Sequence, residues 1–272
     1  MRQIDQVDLE ACGREVAYRQ EREVEIVYRV RSSSSDLSES LPAIAAGIGE
    51  QMLHMDLRPL PRSMRARIRD IAARVPAKNA LLIGGGIGHL AAWLLDLRCG
   101  DPANPPEQPP PRPDSFRIVG PGGKFGVIID RLIRRHGAES WTQIIAKPWQ
   151  EVAAEAVSWS AATAALPVSN PPSPLSLSLD LVIIDVPESE RSSTASAAFD
   201  MLSPGGVLLV QEPEVPTGDV GVAEVGSEPT PAQRKVESFN SWIGFVKQLS
   251  ESHSLGFVEL AGGTLAVLRR TT

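Results

Sequence analysis

The feature that most constrains this chain is the stretch NALLIGGGIGHLAAWLLDL, which runs from Asn79 to Leu97. Four apolar residues lead directly into three consecutive glycines, a fourth glycine follows one residue later, and helical periodicity begins after it. Glycine permits a positive φ and leaves no Cβ between the backbone and a ligand, although ordering it on folding costs more entropy than ordering any other residue. Four glycines at one strand-to-helix turn therefore favour a ligand site over a simple turn, with the N–H groups of the following helix facing the ligand.

Strand-like and helix-like segments alternate along much of the remaining chain. The runs FRIV (116–119) and LDLVIID (179–185) are short and almost continuously apolar, which is typical of buried parallel strands. The final runs GFVEL and TLAVLRR flank an Ala-Gly-Gly turn and predict an antiparallel hairpin. We therefore predict an α/β fold with a doubly wound, mainly parallel seven-stranded sheet and a C-terminal antiparallel hairpin. The strands are ALLI, FRIV, TQIIA, LDLVIID, GGVLLV, GFVEL and TLAVLRR, and helices are predicted at 63–75, 88–97, 127–135, 149–159, 193–202 and 234–252.

Changes in composition suggest how the chain is divided. Residues 1–58 contain one strand-like run, EVEIVYRV, and a serine-rich stretch, which is too little apolar material for a separate core. We predict that this small N-terminal segment is an arm or a lid and that residues 59–272 form the α/β domain. Proline-rich stretches at 99–115 and 166–178 can form neither helix nor central strand, so we interpret them as insertions.

Charge and residue spacing exclude several classes of function. The net charge of -6 provides no basic footprint for nucleic acid, and the cluster Arg62, Arg65, Arg67 and Arg69 favours a solvated helix face. Two distant cysteines and four histidines without ligand spacing predict no metal site. No apolar run approaches the ~20 residues of a membrane span, and no signal peptide is evident. We expect a cytoplasmic protein that acts on a small molecule, without nucleic-acid or membrane partners, and a homodimer remains open.

Three motifs occur in the order that characterises one enzyme family. ALLIGGGIGHLAAWLL resembles the first motif of class I S-adenosylmethionine-dependent methyltransferases, a strand that ends in a G-x-G-x-G loop. LDLVIIDVPE resembles the fourth-strand motif of that family, which ends in Asp, and FDMLSPGGVLLV resembles the fifth-strand motif, in which L-x-P-G-G leads into a strand. The resemblance covers about Ser63 to Arg270. It implies a Rossmann-like methyltransferase that uses S-adenosyl-L-methionine as its cofactor.

The resemblance also implies which residues form the site. The glycines of the loop would cradle the methionine moiety and the ribose, and Asp185 would lie beside the substrate and the sulfonium. Trp149 follows the third strand, where the family contacts adenine. His54 lies in a segment that often covers the substrate in such enzymes, and its imidazole is a candidate general base. The predicted cofactor-binding residues are Ile83, Gly84, Gly85, Gly86, Gly88, Gly120, Trp149 and Asp185, and the predicted catalytic residues are Asp185 and His54.

The end of the second strand departs from the family pattern. The family usually carries an acid there that accepts both ribose hydroxyls. If FRIV is the second strand, this position holds Gly120 or Pro121, whereas Asp130 fills the role if KFGVIID is the strand. The helical spacing within 127–135 favours FRIV, and the acid is then missing.

Two alternative functions follow from other features. The chain also resembles spermidine synthases, more weakly, in its GGG loop and its strand-like N-terminal run. After the fifth strand it has the sequence QEPE, where those enzymes have a Gln-x-Glu motif. This resemblance implies an aminopropyltransferase. The loop of those enzymes continues with an Asp and two glycines, where this chain has Ile87, Gly88 and His89. The missing ribose acid favours a non-catalytic binding protein that retains the fold. A metal-dependent catechol-type methyltransferase would need an Asp-Asn pair where the chain has Gln211 and Glu212.

Overall fold

The computed structural model of this chain describes residues 42–108, 110–120, 122–165, 175–217 and 228–271. The predicted strand EVEIVYRV and the serine-rich stretch lie outside these residues, as does most of the predicted insertion at 166–178. The described residues form seven helices and seven strands. In chain order these are α1 (Ala43–His54), α2 (Arg62–Arg74), β1 (Asn79–Gly84), α3 (His89–Cys99), β2 (Ser115–Val119), α4 (Lys124–Arg135), β3 (Thr142–Ile145), α5 (Trp149–Ala165), β4 (Leu179–Asp185), α6 (Glu188–Phe199), β5 (Leu202–Gln211), α7 (Pro231–Ser250), β6 (Ser254–Leu260) and β7 (Gly263–Arg269).

All seven strands belong to one sheet in the order β3-β2-β1-β4-β5-β7-β6. Strands β1 to β5 are mutually parallel, and β7 is antiparallel to both β5 and β6. The direction of winding reverses between β1 and β4, so the connections that leave these two strands diverge and open a crevice at their carboxyl ends. The predicted doubly wound sheet with its C-terminal hairpin is confirmed.

Two apolar clusters cover the two faces of the sheet. Alternate residues of β1 point to opposite faces, so Leu82 joins one cluster and Leu81 and Ile83 join the other. The first cluster contains residues of α1 to α4, and the second contains residues of α5 to α7. Because helices bury both faces of the central strands, those strands are apolar throughout their length.

Helix α1, which contains two glycines, was not among the helices predicted from the sequence. Ala45, Ile48 and Met52 lie on one face of this helix and are buried in the first cluster. Gly49 faces His89 of α3, and a Cβ there would lie 3.2 Å from the Nε2 atom of His89. Packing against α3 therefore stabilises a helix that local propensity does not predict. The division of the chain at residue 58 remains a prediction.

The structure identifies the second strand as FRIV, which forms β2, as predicted from the spacing. KFGVIID instead begins α4, and Asp130 of that helix pairs with Arg134 one turn later at 3.0 Å. Among the described residues, no helix is long and apolar enough to cross a membrane.

Candidate functional site

A cleft of about 880 Å³ opens where β1 and β4 end. Its walls come from the glycine loop, the exit of β2, the start of α5, the β4–α6 connection and the segment around α2. A second cavity, of about 500 Å³, lies near the start of β2 and includes none of the predicted site residues. The larger cleft is therefore the candidate site. It brings together the predicted residues Ile83, Gly84, Gly85, Gly86, Gly120, Trp149 and Asp185.

The glycines of the loop have different structural reasons for being glycine. Gly84, Gly86 and Gly88 all have positive φ, at +91°, +53° and +95°. A Cβ on Gly84 would lie 2.1 Å from the carbonyl oxygen of Asp185, and one on Gly88 would lie 3.1 Å from Cγ1 of Ile129. A Cβ on Gly86 would meet no protein atom within 4 Å. Gly84 and Gly88 therefore permit close packing of the protein against itself, whereas Gly86 leaves space in the cleft.

The described backbone between Gly86 and the start of helix α3 has N–H groups without backbone partners. Helix α3 begins at His89, and its N-cap Gly88 provides no side-chain cap. Within the described chain, the N–H groups of Gly86 and Ile87 form no backbone hydrogen bond, whereas the N–H of Gly88 donates to the carbonyl of Gly85 at 2.8 Å. The start of a helix with free N–H groups binds electron-rich groups of a ligand.

Asp185 ends β4 directly beside the loop. Its backbone pairs with Gly84 across the two strands, and its carbonyl accepts the N–H of Gly85 at 3.1 Å. Burial raises the pKa of the Asp185 carboxyl to about 6, and the nearby cations Arg191 and Arg65 limit this rise. Asp185 lines the cleft, and at neutral pH its carboxylate is ionised.

Arg191 ties together the elements on one side of the cleft. Its guanidinium donates to the carbonyl of Val186 at 3.3 Å, to the carbonyl of Glu212 at 3.1 Å and to Oε1 of Gln211 at 3.1 Å. Gln211 in turn donates to the carbonyl of Gly262 in the β6–β7 turn at 3.0 Å. These bonds connect the exits of β4 and β5 to the hairpin. Burial lowers the pKa of Arg191, and the surrounding carboxylates oppose this effect.

Arg65 of α2 and His89 of α3 meet on the other side of the cleft. Nη1 of Arg65 lies within hydrogen-bonding distance of Nε2 of His89, and its Cζ lies 5.2 Å from the ring centroid of Trp93. Burial and, to a smaller extent, the charge of Arg65 lower the pKa of His89 to about 4, and a hydrogen bond with the backbone of Ala45 partly opposes them. His89 is therefore neutral and accepts a hydrogen bond from Arg65. It links three helices and is not a free general base.

The sequence did not identify Arg65 or Arg191 as site residues. The interpretation of the arginine cluster on α2 as a solvated face is wrong for two of its members. Arg69 is 8% exposed and pairs with Asp96 at 2.7 Å, and Arg65 is half-buried beside the cleft. Their spacing of four residues places them on one face of α2, but the sequence alone did not show that α3 covers that face.

Two of the predicted site residues, His54 and Gly88, do not line the cleft, and a third, Trp149, lines it with only a small part of its side chain exposed. His54 is the exposed last residue of α1 and does not line the cleft, and Gly88 lies behind the loop against α4. Trp149 lines the cleft but is only 7% exposed, because it packs in the second apolar cluster. The roles assigned to these three residues remain predictions.

The exit of β2 provides no acid within the described residues. Gly120 occupies this position, and its N–H donates to the carbonyl of Ile145 at 3.2 Å. Asp130, the alternative acid, lies on α4 and does not line the cleft.

Glu212, which stands where a metal-dependent methyltransferase would need part of an Asp-Asn pair, does not line the cleft. It accepts a hydrogen bond from Nε1 of the fully buried Trp242 at 2.9 Å. Across the part of the chain that the structure describes, no group of three or more His, Cys, Asp or Glu side chains could hold a metal ion.

Similar folds occur among solved methyltransferase structures. The O-methyltransferase from Bacillus cereus, solved in complex with SAH, shares 13% identity with this chain at a TM-score of 0.56, covering 87% of this chain and 94% of its own. The O-methyltransferase TomG from Streptomyces achromogenes, solved with SAM, shares 15% identity at a TM-score of 0.56. The match covers 93% of this chain and 99% of TomG. The SAH-bound Podospora anserina methyltransferase PaMTH1 shares 13% identity at a TM-score of 0.54. The match covers 91% of this chain and 96% of PaMTH1. No protein-family model and no curated protein sequence matches the chain.

These likenesses are global and extend over nearly the whole of each compared chain. At 13–15% identity they show the fold, and they leave the activity to be argued from the site. The chain has the Rossmann-like fold of class I S-adenosylmethionine-dependent methyltransferases, as the ordered motifs predicted.

Proposed function

We propose that this protein is an S-adenosylmethionine-dependent methyltransferase that acts on a small molecule. The observation that carries the proposal is the open space over Gly86, at the point where the winding of the sheet reverses. In doubly wound folds, ligands bind outside the carboxyl ends of the strands at this point. Gly86 leaves room for a ligand there, and the N–H group of Gly86 has no backbone partner in the described chain.

The residues around this space suit S-adenosylmethionine with one exception. The loop from Gly84 to Gly86 can approach the methionine end closely, and the exposed edge of Trp149 lies where adenine would be expected. Gly120 leaves room for the ribose but provides no carboxylate for its hydroxyls, so this part of the cofactor must bind through other groups. When bound, the cofactor supplies an electrophilic methyl group.

The chain's own contribution to catalysis would be alignment of the acceptor. Transfer of a methyl group mainly requires the acceptor atom to lie in line with the methyl carbon, so orientation alone can provide much of the acceleration. The cleft wall formed by residues 57–61 together with Glu188, Glu190 and Arg191 would orient the acceptor. Because the similar structures include O-methyltransferases, a hydroxyl oxygen is the first acceptor atom to test.

A non-catalytic binding protein is the second candidate, because the acid that would hold the ribose is absent. The two candidates differ in turnover. Purified protein is incubated with S-adenosylmethionine and pools of small hydroxylated compounds, and S-adenosylhomocysteine is quantified by mass spectrometry. We expect at least one pool to yield product, and Gly86→Val to remove it. Binding of S-adenosylhomocysteine without turnover in any pool would favour the second candidate, and absence of binding would contradict both.

A further inference from the structure

One guanidinium connects three parts of the cleft wall. Arg191 lies in the first turn of α6, lines the cleft and donates to the carbonyl of Val186 just after β4. It also donates to Oε1 of Gln211, the last residue of β5, and to the carbonyl of Glu212. Gln211 in turn donates to the carbonyl of Gly262 in the β6–β7 turn. A single cation therefore joins the exits of β4 and β5 and, through Gln211, the hairpin.

The positions that Arg191 joins are those at which a metal-dependent enzyme of this fold would hold its ion. A catechol-type methyltransferase would need an Asp-Asn pair directly after the fifth strand in addition to Asp185. In this chain Asp185 and Gln211 are neighbours across the sheet, because the residues before them, Ile184 and Val210, pair in the β4–β5 register. The two strand exits therefore have the required proximity, and their side chains decide whether an ion could bind.

The side-chain oxygens at these exits do not fit a divalent ion. Mg²⁺ is bound by carboxylate, carbonyl and amide oxygens. Oε1 of Gln211 accepts a hydrogen bond from Arg191 at 3.1 Å, and Oε1 of Glu212 accepts one from Nε1 of Trp242 at 2.9 Å. Of the three side chains that would have to be ligands, the carboxylate of Asp185 is the one left for an ion.

Arg191 also brings positive charge to this part of the cleft. Among the cations that act on Asp185, Arg191 lowers the pKa of its carboxyl most. Burial lowers the pKa of Arg191 itself, and nearby carboxylates, first Glu188 and then Asp185, raise it. A divalent ion next to this guanidinium would place like charges together in a partly desolvated cleft, which is unfavourable.

From these contacts we infer that Arg191 takes the place of a divalent cation between the exits of β4 and β5, so that the site works without a metal ion. Arg191 is a positioning residue, because its planar set of donors fixes the cleft-lining residues Val186 and Gln211 relative to each other. That methyl transfer itself needs no metal rests on the proposed function. The place of Arg191 between the two strand exits does not.

The test introduces a second carboxylate beside Asp185 and asks whether Arg191 keeps a metal ion from it. Four full-length proteins are compared: the wild type, Gln211→Asp, Gln211→Asp combined with Arg191→Met, and the control Gln211→Asp combined with Arg134→Met. Arg134 lies on α4 outside the cleft, so the control removes the same charge without touching either strand exit. Binding of Mn²⁺ is measured from the electron paramagnetic resonance signal of the free ion.

The guanidinium should neutralise the carboxylate introduced at position 211 and exclude the ion. We expect the wild type, Gln211→Asp and the control to bind Mn²⁺ no more tightly than about millimolar, and removal of Arg191 together with Gln211→Asp to tighten binding at least about 10-fold. Circular dichroism establishes that each protein is folded. Equal affinities of Gln211→Asp with and without Arg191 would overturn the inference.

A second measurement leaves Arg191 unchanged and so does not depend on how its variant folds. Calorimetry of the wild type with S-adenosylhomocysteine, in EDTA and then in Mg²⁺, should give affinities within about twofold of each other. Tight binding of Mn²⁺ to the wild type at a site that Asp185→Asn removes, or a loss of affinity in EDTA that Mg²⁺ restores, would overturn the inference. If the wild type binds no S-adenosylhomocysteine while Mn²⁺ behaves as expected, the proposed function fails and the place of Arg191 stands.

Discussion

Gly84 and Gly86 are two residues apart in the same loop, yet substitutions at them should fail in different ways. Both have positive φ, so any side chain strains the backbone by roughly 1–2 kcal/mol. Only at Gly84 does a Cβ also collide with backbone, at 2.1 Å from the carbonyl oxygen of Asp185. We expect Gly84→Ala to lower the free energy of unfolding by roughly 2–5 kcal/mol, because it must separate β1 from β4.

Gly86→Val should instead remove binding and keep the fold. Its branches would occupy the empty space in the cleft, so we expect a loss of roughly 1–2 kcal/mol in stability and no detectable binding of S-adenosylhomocysteine. Urea unfolding and calorimetry on both glycine variants provide the two readouts. Retained ligand binding in a folded Gly86→Val protein would mean that the ligand does not cross this point.

At neutral pH, the ionised side chain of Asp185 should lower the free energy of unfolding of the protein. Its folded-state pKa of about 6 lies above the ordinary value of 3.8, so the protonated form stabilises the fold. This contribution is fully present below about pH 4 and is lost as the pH rises through about 6. We expect Asp185→Asn to raise the free energy of unfolding by about 1–3 kcal/mol at pH 7.5, with the gain disappearing towards pH 4.

In the same pH range, the contribution of His89 to the free energy of unfolding changes with pH in the opposite direction. Its pKa is lowered to about 4, so it stabilises the fold when neutral and this stability is lost as the pH falls from its ordinary value of 6.5 towards 4. Because His89 is present in both proteins, its contribution cancels in the difference between wild type and Asp185→Asn. Urea midpoints measured from pH 4 to 8 give this difference. A constant difference across the range would contradict the raised pKa of Asp185.

The sequence revealed some site residues and hid others for a physical reason. Gly84 and Gly86 could be identified because a run of glycines at the start of a helix costs backbone entropy, which favours a close approach of the backbone to a ligand. Arg65 could not, because its half-buried position depends on His89 and Trp93, which lie on a helix that follows β1. Periodicity shows which residues share a face of a helix, but it does not show what covers that face.

At the scale of elements, the described strands were predictable and helix α1 was not. The central strands are apolar on both faces because both faces are covered, and this leaves a clear signal in the sequence. Helix α1 contains Gly47 and Gly49, which lower its intrinsic propensity, and its helical state depends on burial against α3. Helix α5 also continues to Ala165, beyond the predicted end at 159.

Two truncations test what α1 contributes. The sequence left an arm or a lid as alternatives for residues 1–58, and the burial of Ile48 and Met52 favours an arm packed on the core. Relative to removal of residues 1–41, removal of 1–58 should cost roughly 3–6 kcal/mol, or about 10 °C in Tm, because it exposes the face of α3 that α1 covers. Thermal unfolding measures this difference. Equal Tm values, with turnover lost only in the longer truncation, would instead support the lid.

For the whole molecule, the net charge of -6 predicts the class of partner. A protein that binds nucleic acid through many phosphates needs a basic surface, and its affinity depends strongly on salt. We expect no RNA gel shift at physiological ionic strength, in keeping with a small-molecule substrate. A strong shift that disappears as salt is raised would contradict this expectation.

The central claim is that the cleft between β1 and β4 binds S-adenosylmethionine. Calorimetry of the full chain with S-adenosylmethionine, S-adenosylhomocysteine and NAD tests it most directly. The account predicts that both adenosyl compounds bind at one site per chain, that Gly86→Val abolishes this binding, and that NAD does not compete. Binding of NAD together with no binding of either adenosyl compound at millimolar concentration would contradict it.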